Sequence, residues 1–163
     1  MQGCTAVNKM ELNETTQPTY YTARYRHGVD DKRRVQIPAK WRPAESGTEL
    51  TLMLWPKAKE GPCLRVLPPQ QMAKLVRDIN AMPNDNPNKV VLKRFIGGES
   101  VQVTLDKAGR ICLPEEMARA AGIKDEVVLI GLLDRFEIWS PDRCAKVRAA
   151  DSIMASEAFK IME

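Results

Sequence analysis

The chain holds one histidine, His27, in 163 residues. A metal centre built on imidazole therefore lacks partners. The four cysteines (Cys4, Cys63, Cys112 and Cys144) do not supply one either, because none stands in a CxxC spacing. Cys63, Cys112 and Cys144 fall in apolar runs or on a helix face, which reads as buried thiols kept in a reducing compartment. His27 has no serine or cysteine motif beside it. The phosphate-cradling patterns GxxxxGK and GxGxxG are both missing. The acidic pairs Asp30-Asp31 and Glu115-Glu116 are adjacent in sequence, so their carboxylates point to different faces and form no acid/base couple. These absences lead us to expect no enzyme, no cofactor, no metal and no small-molecule substrate. No apolar run approaches the length of a membrane span, and the first residues show no charged-then-apolar signal, so no membrane association is expected. The net charge of +4 is too mild to select a partner; its distribution says more.

What the chain does have is a pattern that occurs twice. Asp30-Asp31-Lys32-Arg33-Arg34-Val35-Gln36-Ile37-Pro38 is answered by Asp106-Lys107-Ala108-Gly109-Arg110-Ile111-Cys112-Leu113-Pro114. Asp30 and Asp106, Arg34 and Arg110, and Pro38 and Pro114 are each 76 residues apart. A second match follows in the same order. Leu64–Pro69 (LRVLPP) aligns with Phe136–Pro141 (FEIWSP), and Ala73-Lys74 with Ala145-Lys146, at an offset of 72. About four extra residues in the first copy are accommodated by a longer loop around Lys57–Gly61. A repeat of roughly this length is near the lower limit for an independent core, so the two copies are expected to share one.

Each copy reads as strand, turn, strand, short helix, strand, strand, helix. Tyr21–Val29 alternates tyrosine, histidine and valine with arginine and glycine. Asp30–Arg33 is the turn and Arg34–Ile37 the return strand. Pro38 suits the first turn of a short helix over 39–44. Strands are expected over 48–55 and 63–67, and an amphipathic helix over 70–81 with Met72, Leu75, Val76 and Ile79 on one face. Met82–Pro87 breaks that helix. A second helix over 88–96 is stopped by Gly97-Gly98. The second copy repeats the plan with strands over 99–105 and 110–113, and a short helix over 114–121. A hairpin follows over 126–139, then a final helix from Pro141 to about Met154 or beyond. Residues 1–20 are polar and aperiodic and read as a disordered tail.

The strand–turn–strand with Asp-x-x-x-Arg leading into Ile-Pro or Leu-Pro resembles the SpoVT-AbrB, or swapped-hairpin, DNA-binding fold. Two such units joined by a helical linker resemble the bacterial MraZ family of transcriptional regulators. The stretches that carry this are Tyr25–Arg34, Ile37–Arg42, Leu105–Arg110 and, most distinctively, Gly131–Trp139 (GLLDRFEIW). The resemblance spans about Tyr21 to Lys146. It implies an α+β fold of tandem duplicated swapped-hairpin β-barrel units with short helices, a helical linker and a C-terminal helix. The expected division is a tail over 1–20, a first unit over 21–72, a linker over 73–98, a second unit over 99–144 and a helix or tail over 145–163. The resemblance also implies a cytoplasmic, nucleoid-associated regulator, expected as a repressor of the division and cell-wall gene cluster. Its implied partners are double-stranded promoter DNA and other copies of itself in a ring-like homo-oligomer.

The residues themselves give the DNA reading a physical basis. Between Tyr20 and Glu45 the basic residues Arg24, Arg26, Lys32, Arg33, Arg34, Lys40 and Arg42 face only Asp30, Asp31 and Glu45. A two-stranded ribbon fits a major groove, where arginine and lysine meet phosphates or guanine edges. The candidate contacts are Arg24, Arg26, Lys32, Arg33, Arg34 and Arg110. The second copy is less basic, so the first hairpin is expected to read DNA and the second mainly to build the assembly. Asp30 and Asp106, which would repel phosphate, are assigned to structural ion pairs. Each accepts from the arginine four residues on, in its own or a partner chain, with Asp106–Arg110 the firmer case and Arg34 able to serve both roles. Arg33 departs from the family, which carries glycine there. In a left-handed turn it costs on the order of 1 kcal/mol relative to glycine. It either changes operator choice or adds a phosphate contact. The competing reading is an antitoxin-like or scaffold module on the same fold, with its function in the C-terminal helix.

Overall fold

The computed structural model describes residues 20–56 and 59–163. Residues 1–19 of the expected disordered tail, Cys4 among them, and Lys57-Ala58 of the expected long loop fall outside them. The fold is α+β. Among the described residues, eight strands run in chain order as β1 (Arg24–Gly28), β2 (Arg34–Gln36), β3 (Leu50–Trp55), β4 (Cys63–Leu67), β5 (Ser100–Val103), β6 (Arg110–Cys112), β7 (Glu126–Gly131) and β8 (Phe136–Trp139). Four helices join them: α1 (Pro69–Asn80), α2 (Pro87–Gly98), α3 (Glu115–Ala120) and α4 (Pro141–Phe159).

The copies do not fold side by side. Six strands make one sheet in the order β1-β7-β8-β4-β3-β5, and β2 pairs only with β6. The outer strand of each copy is therefore paired to the other copy, β1 to β7 and β5 to β3. At two places a residue pairs with its own repeat equivalent: Val35 with Ile111 in β2–β6, and Arg65 with Glu137 in β4–β8. This is the signature of a twofold axis, here an internal one passing through both strand pairs. The hydrophobic alternation explains the shared core. Val35 and Ile111 are fully buried beneath the small ribbon, and Ile37, Leu113, Leu52, Leu64, Leu129 and Ile138 pack with them. Trp41 anchors this core. Its ring lies 4.9 Å from Phe136, 5.2 Å from Tyr25 and 5.9 Å from Tyr21, while its indole N–H donates to the Thr22 carbonyl at 3.1 Å.

Two elements depart from the sequence expectation. The strand over 21–29 is broken at Ala23, whose φ is 78°. Tyr21 is held separately by paired backbone hydrogen bonds to Leu133, so its ring turns into the core. Gly131 makes this approach feasible, since a Cβ there would strike the Tyr21 backbone. The short helix over 39–44 is a single 3-10 turn, Ala39–Trp41. Pro43 has no N–H to continue it, whereas the second copy, without that proline, forms α3. The final helix extends from Pro141 to Phe159, within the longer of its expected ends. Trp139, Phe136 and Met53 are buried within the chain, and Leu133 is exposed. No described helix is long and apolar enough to cross a membrane.

Candidate nucleic-acid interface

The two turns meet at the internal axis and are built alike. In the first, Asp30 Oδ1 accepts from the backbone N–H of Lys32 (2.9 Å) and Arg34 (2.8 Å), and Oδ2 accepts from Arg34 Nε at 2.6 Å. In the second, Asp106 Oδ1 accepts from the backbone of Ala108 and Arg110, both at 2.9 Å, and Oδ2 from Arg110 Nε at 3.0 Å. Each aspartate thus ties the turn and fixes the guanidinium beside it. The Arg34 N–H, ahead of its guanidinium, holds the Asp30 carboxyl below the usual carboxylate range, and the Arg110 N–H does the same for Asp106. The turns are also joined to each other. Arg110 Nη1 lies 3.8 Å from Asp30 Oδ2, and Gln36 Nε2 donates to the Ala108 carbonyl at 2.8 Å.

Because β2 and β6 alternate, everything that is not Val35 or Ile111 points outward. The outer face of this ribbon carries Arg34 and Gln36 on one strand and Arg110 and Cys112 on the other, with Arg34 opposite Cys112 and Gln36 opposite Arg110. Arginine, with two parallel donors, matches a guanine edge, and glutamine, with one donor and one acceptor, matches an adenine edge. Among the described residues the Nη groups of Arg34 donate no hydrogen bond, whereas Arg110 Nη1 is turned toward the Asp30 carboxylate.

The remaining candidates separate. Lys32 sits on the turn beside Arg34. Arg33 is left-handed, φ 60°, at the place where Gly109 has φ 80°. Its Nε donates to the Leu113 carbonyl at 3.0 Å, so its guanidinium bridges the two hairpins. The equivalent carbonyl in the other half, Ile37, accepts from Arg42 Nε at 2.9 Å. Arg42 lies directly over Gly109, where a Cβ would collide with its guanidinium. At the same 76-residue offset Arg42 corresponds to Ala118. One half thus uses glycine with a distant arginine, and the other uses arginine in the turn with a distant alanine. Arg24 and Arg26 are not at the ribbon. They lie on the exposed face of β1, where Arg26 pairs with Glu126 of β7. Sequence reasoning passed over Gln36 and gave Arg42 no structural part. The alternation Val35-Gln36-Ile37 was the available signal for Gln36.

Comparison with known proteins gives one family. The family model described as "MraZ protein, putative antitoxin-like" matches residues 96–159. Proteins named transcriptional regulator MraZ are similar along most of the chain. One from Clostridium acetobutylicum is 32% identical over 143 residues, 88% of this chain and 97% of the relative. One from Halothermothrix orenii is 34% identical over 76% of this chain and 82% of the relative. One from Thermomicrobium roseum is 29% identical over 88% of this chain and 95% of the relative.

Proposed function

Since the chain belongs to the MraZ family of transcriptional regulators, we propose that it binds promoter DNA sequence-specifically through the paired hairpins and regulates transcription there. The outward row Arg34, Gln36 and Arg110 on the β2–β6 ribbon is the observation that carries this reading. The ribbon enters the major groove, with the Arg34 Nη groups and the Gln36 amide turned to base edges and phosphates. Lys32 adds a phosphate contact. Arg24 and Arg26, set back along β1, serve as flanking contacts where the DNA bends toward the edge of the sheet. The first hairpin contributes most, because its turn carries Lys32 and Arg33 where the second has Ala108 and Gly109.

The wider reading follows the family resemblance. The protein acts in the cytoplasm, associated with the nucleoid, as a repressor of the division and cell-wall gene cluster. It works as a ring-like homo-oligomer that engages several promoter repeats at once. Multivalency then raises avidity without any new contact.

Titration against the DNA upstream of its own gene, beside a scrambled control and at two salt concentrations, tests the reading. Preference for the promoter, with a log–log salt slope near −0.9 per phosphate contacted, is the expected result. Arg34→Ala abolishes the preference, and charge reversal at Lys32 costs more than reversal at Lys107. Equal, weak binding to both DNAs that Arg34→Ala leaves unchanged would sink the proposal in favour of a protein-interaction module.

A further inference from the structure

Among the described residues, two apolar surfaces have no partner. The first is a groove of about 350 Å³ between β3 and the linker helices, lined by Trp55, Leu75, Ile79, Leu92, Phe95 and Ile96, with no polar side chain in its wall. A hollow this size holds two large apolar side chains, since one of about 150 Å³ takes up a benzene ring. The second is the distal end of α4. The helix packs against the sheet only through its first turns, where Cys144 and Val147 meet Val128 and Trp139. From Arg148 onward every residue but Ala155 is exposed. Phe159, Ile161 and Met162 are 69%, 87% and 81% exposed, and Ile153 and Met154 are exposed as well. These groups are not on a floppy strand that folds back. The helix is continuous over 19 residues, about 28 Å at its rise per residue, so its far end is presented to another molecule.

Charge selects that molecule. Helix α2, which forms one wall of the groove, carries Lys89, Lys93 and Arg94 and no acidic residue. Residues 151–163 carry Asp151, Glu157 and Glu163 against Lys160 alone. We propose that the distal end of α4, residues 153–163, seats in this groove on a second copy of the chain. Phe159 and Met162, one helical turn apart, fill the hollow, Ile161 packs on its rim, and Glu157 faces Lys93. The contact is heterologous: each copy gives one tail and receives one, so the arrangement ends only when a ring closes. The inference rests on the homo-oligomer reading and supplies the surface that reading lacks.

The test is sedimentation of the full chain in two variants, Phe95→Glu in the groove and Phe159→Glu/Ile161→Glu in the tail. All three residues are exposed, and circular dichroism checks that both variants fold. Each variant alone loses assembly by about 30-fold or more in dissociation constant, as for an interface anchor. Mixed in equal amounts they form a heterodimer and no larger species, because one intact tail and one intact groove remain. Lys93→Glu weakens assembly, and Glu157→Lys in the same chain restores it. Wild-type oligomers that survive both variants, or a mixture that does not pair, would overturn the inference and leave self-association to another surface. A wild type that stays monomeric at all concentrations would overturn the homo-oligomer reading with it. Uptake of a small apolar probe without assembly would assign the groove to a ligand instead.

Discussion

Arg65 and Glu137 hold the same place in the two copies of the repeat and bind each other across the internal axis, Nε to Oε2 at 2.8 Å. Two identical residues on such an axis would meet as like charges. Here the duplicated chain has let them diverge into a salt bridge. Arg65 stacks over Trp55 at 3.8 Å, and Glu137 also accepts from the Trp139 indole at 3.0 Å. The same carboxylate, after burial itself, pushes the Cys63 thiol up.

Removing one partner of this half-buried pair strands the other. Glu137→Ala is expected to cost about 3–5 kcal/mol. Arg65→Leu/Glu137→Leu recovers most of that loss, because a well-packed apolar pair is close to neutral. Urea denaturation of the two variants checks this. A double variant no more stable than the single one would show that the Trp55 and Trp139 contacts, not the ion pair, hold the site.

By the repeat offset, Arg33 and Ala118 stand in one half where Gly109 and Arg42 stand in the other. Arg33→Gly removes left-handed strain of about 1 kcal/mol but also the cap on Leu113. Ala118→Arg alone overcrowds a buried position that is only 5% exposed. Arg33→Gly/Ala118→Arg together recreate the arrangement at Gly109. The double variant is expected to exceed the sum of its parts by about 1 kcal/mol, read as non-additivity in a thermal double-mutant cycle. Additive effects would mean the two sites do not communicate.

Stability should carry the mark of the turn aspartates. Their carboxyls are held below the usual value by backbone N–H groups and the neighbouring arginines. Their contribution is therefore present above the ordinary carboxylate pKa of about 4 and is lost as pH falls through the lower folded value. Asp30→Asn/Asp106→Asn keeps one acceptor oxygen per turn and loses the charge. The melting-temperature gap between wild type and this variant is expected to be constant from pH 7 to about 5 and to close in more acid solution. A gap that widens toward acid would reverse the assignment.

Gln36 is expected to contribute to base choice. Gln36→Ala should flatten preference at one position of the operator by about 1–3 kcal/mol while leaving the salt slope unchanged. A changed slope with intact preference would place Gln36 on phosphate.

Much of the fold was legible in local patterns. The alternation in β1, the bounds of β4 and the amphipathic α1 follow from side-chain period alone. The doubled Asp-x-x-x-Arg pattern revealed two copies. It did not reveal that equivalents pair with each other, because strand partners 74 residues apart, such as Gln36 and Arg110, leave no trace in a local period. The kink at Ala23 was invisible for a related reason: it depends on Gly131 lying alongside. The turn aspartates and their arginines could be placed from spacing. The outward place of Gln36 follows from the alternation, but its bond to Ala108 and the part of Arg42 do not, since each depends on a carbonyl supplied by the opposite hairpin or the core.

The crossed strand pairing has a consequence for synthesis. β1 waits for β7, β2 for β6 and β4 for β8, so no part of the first copy's sheet beyond the β3–β4 hairpin closes until the second copy has left the ribosome. At about 5–20 residues per second, that interval lasts several seconds. Through it the nascent chain shows the bare edges of β3 and β4, with Leu52, Leu64 and Val66 uncovered. A stall in the linker would therefore release a half-chain with open strands, ready to pair with another of its kind, and never a working half-regulator.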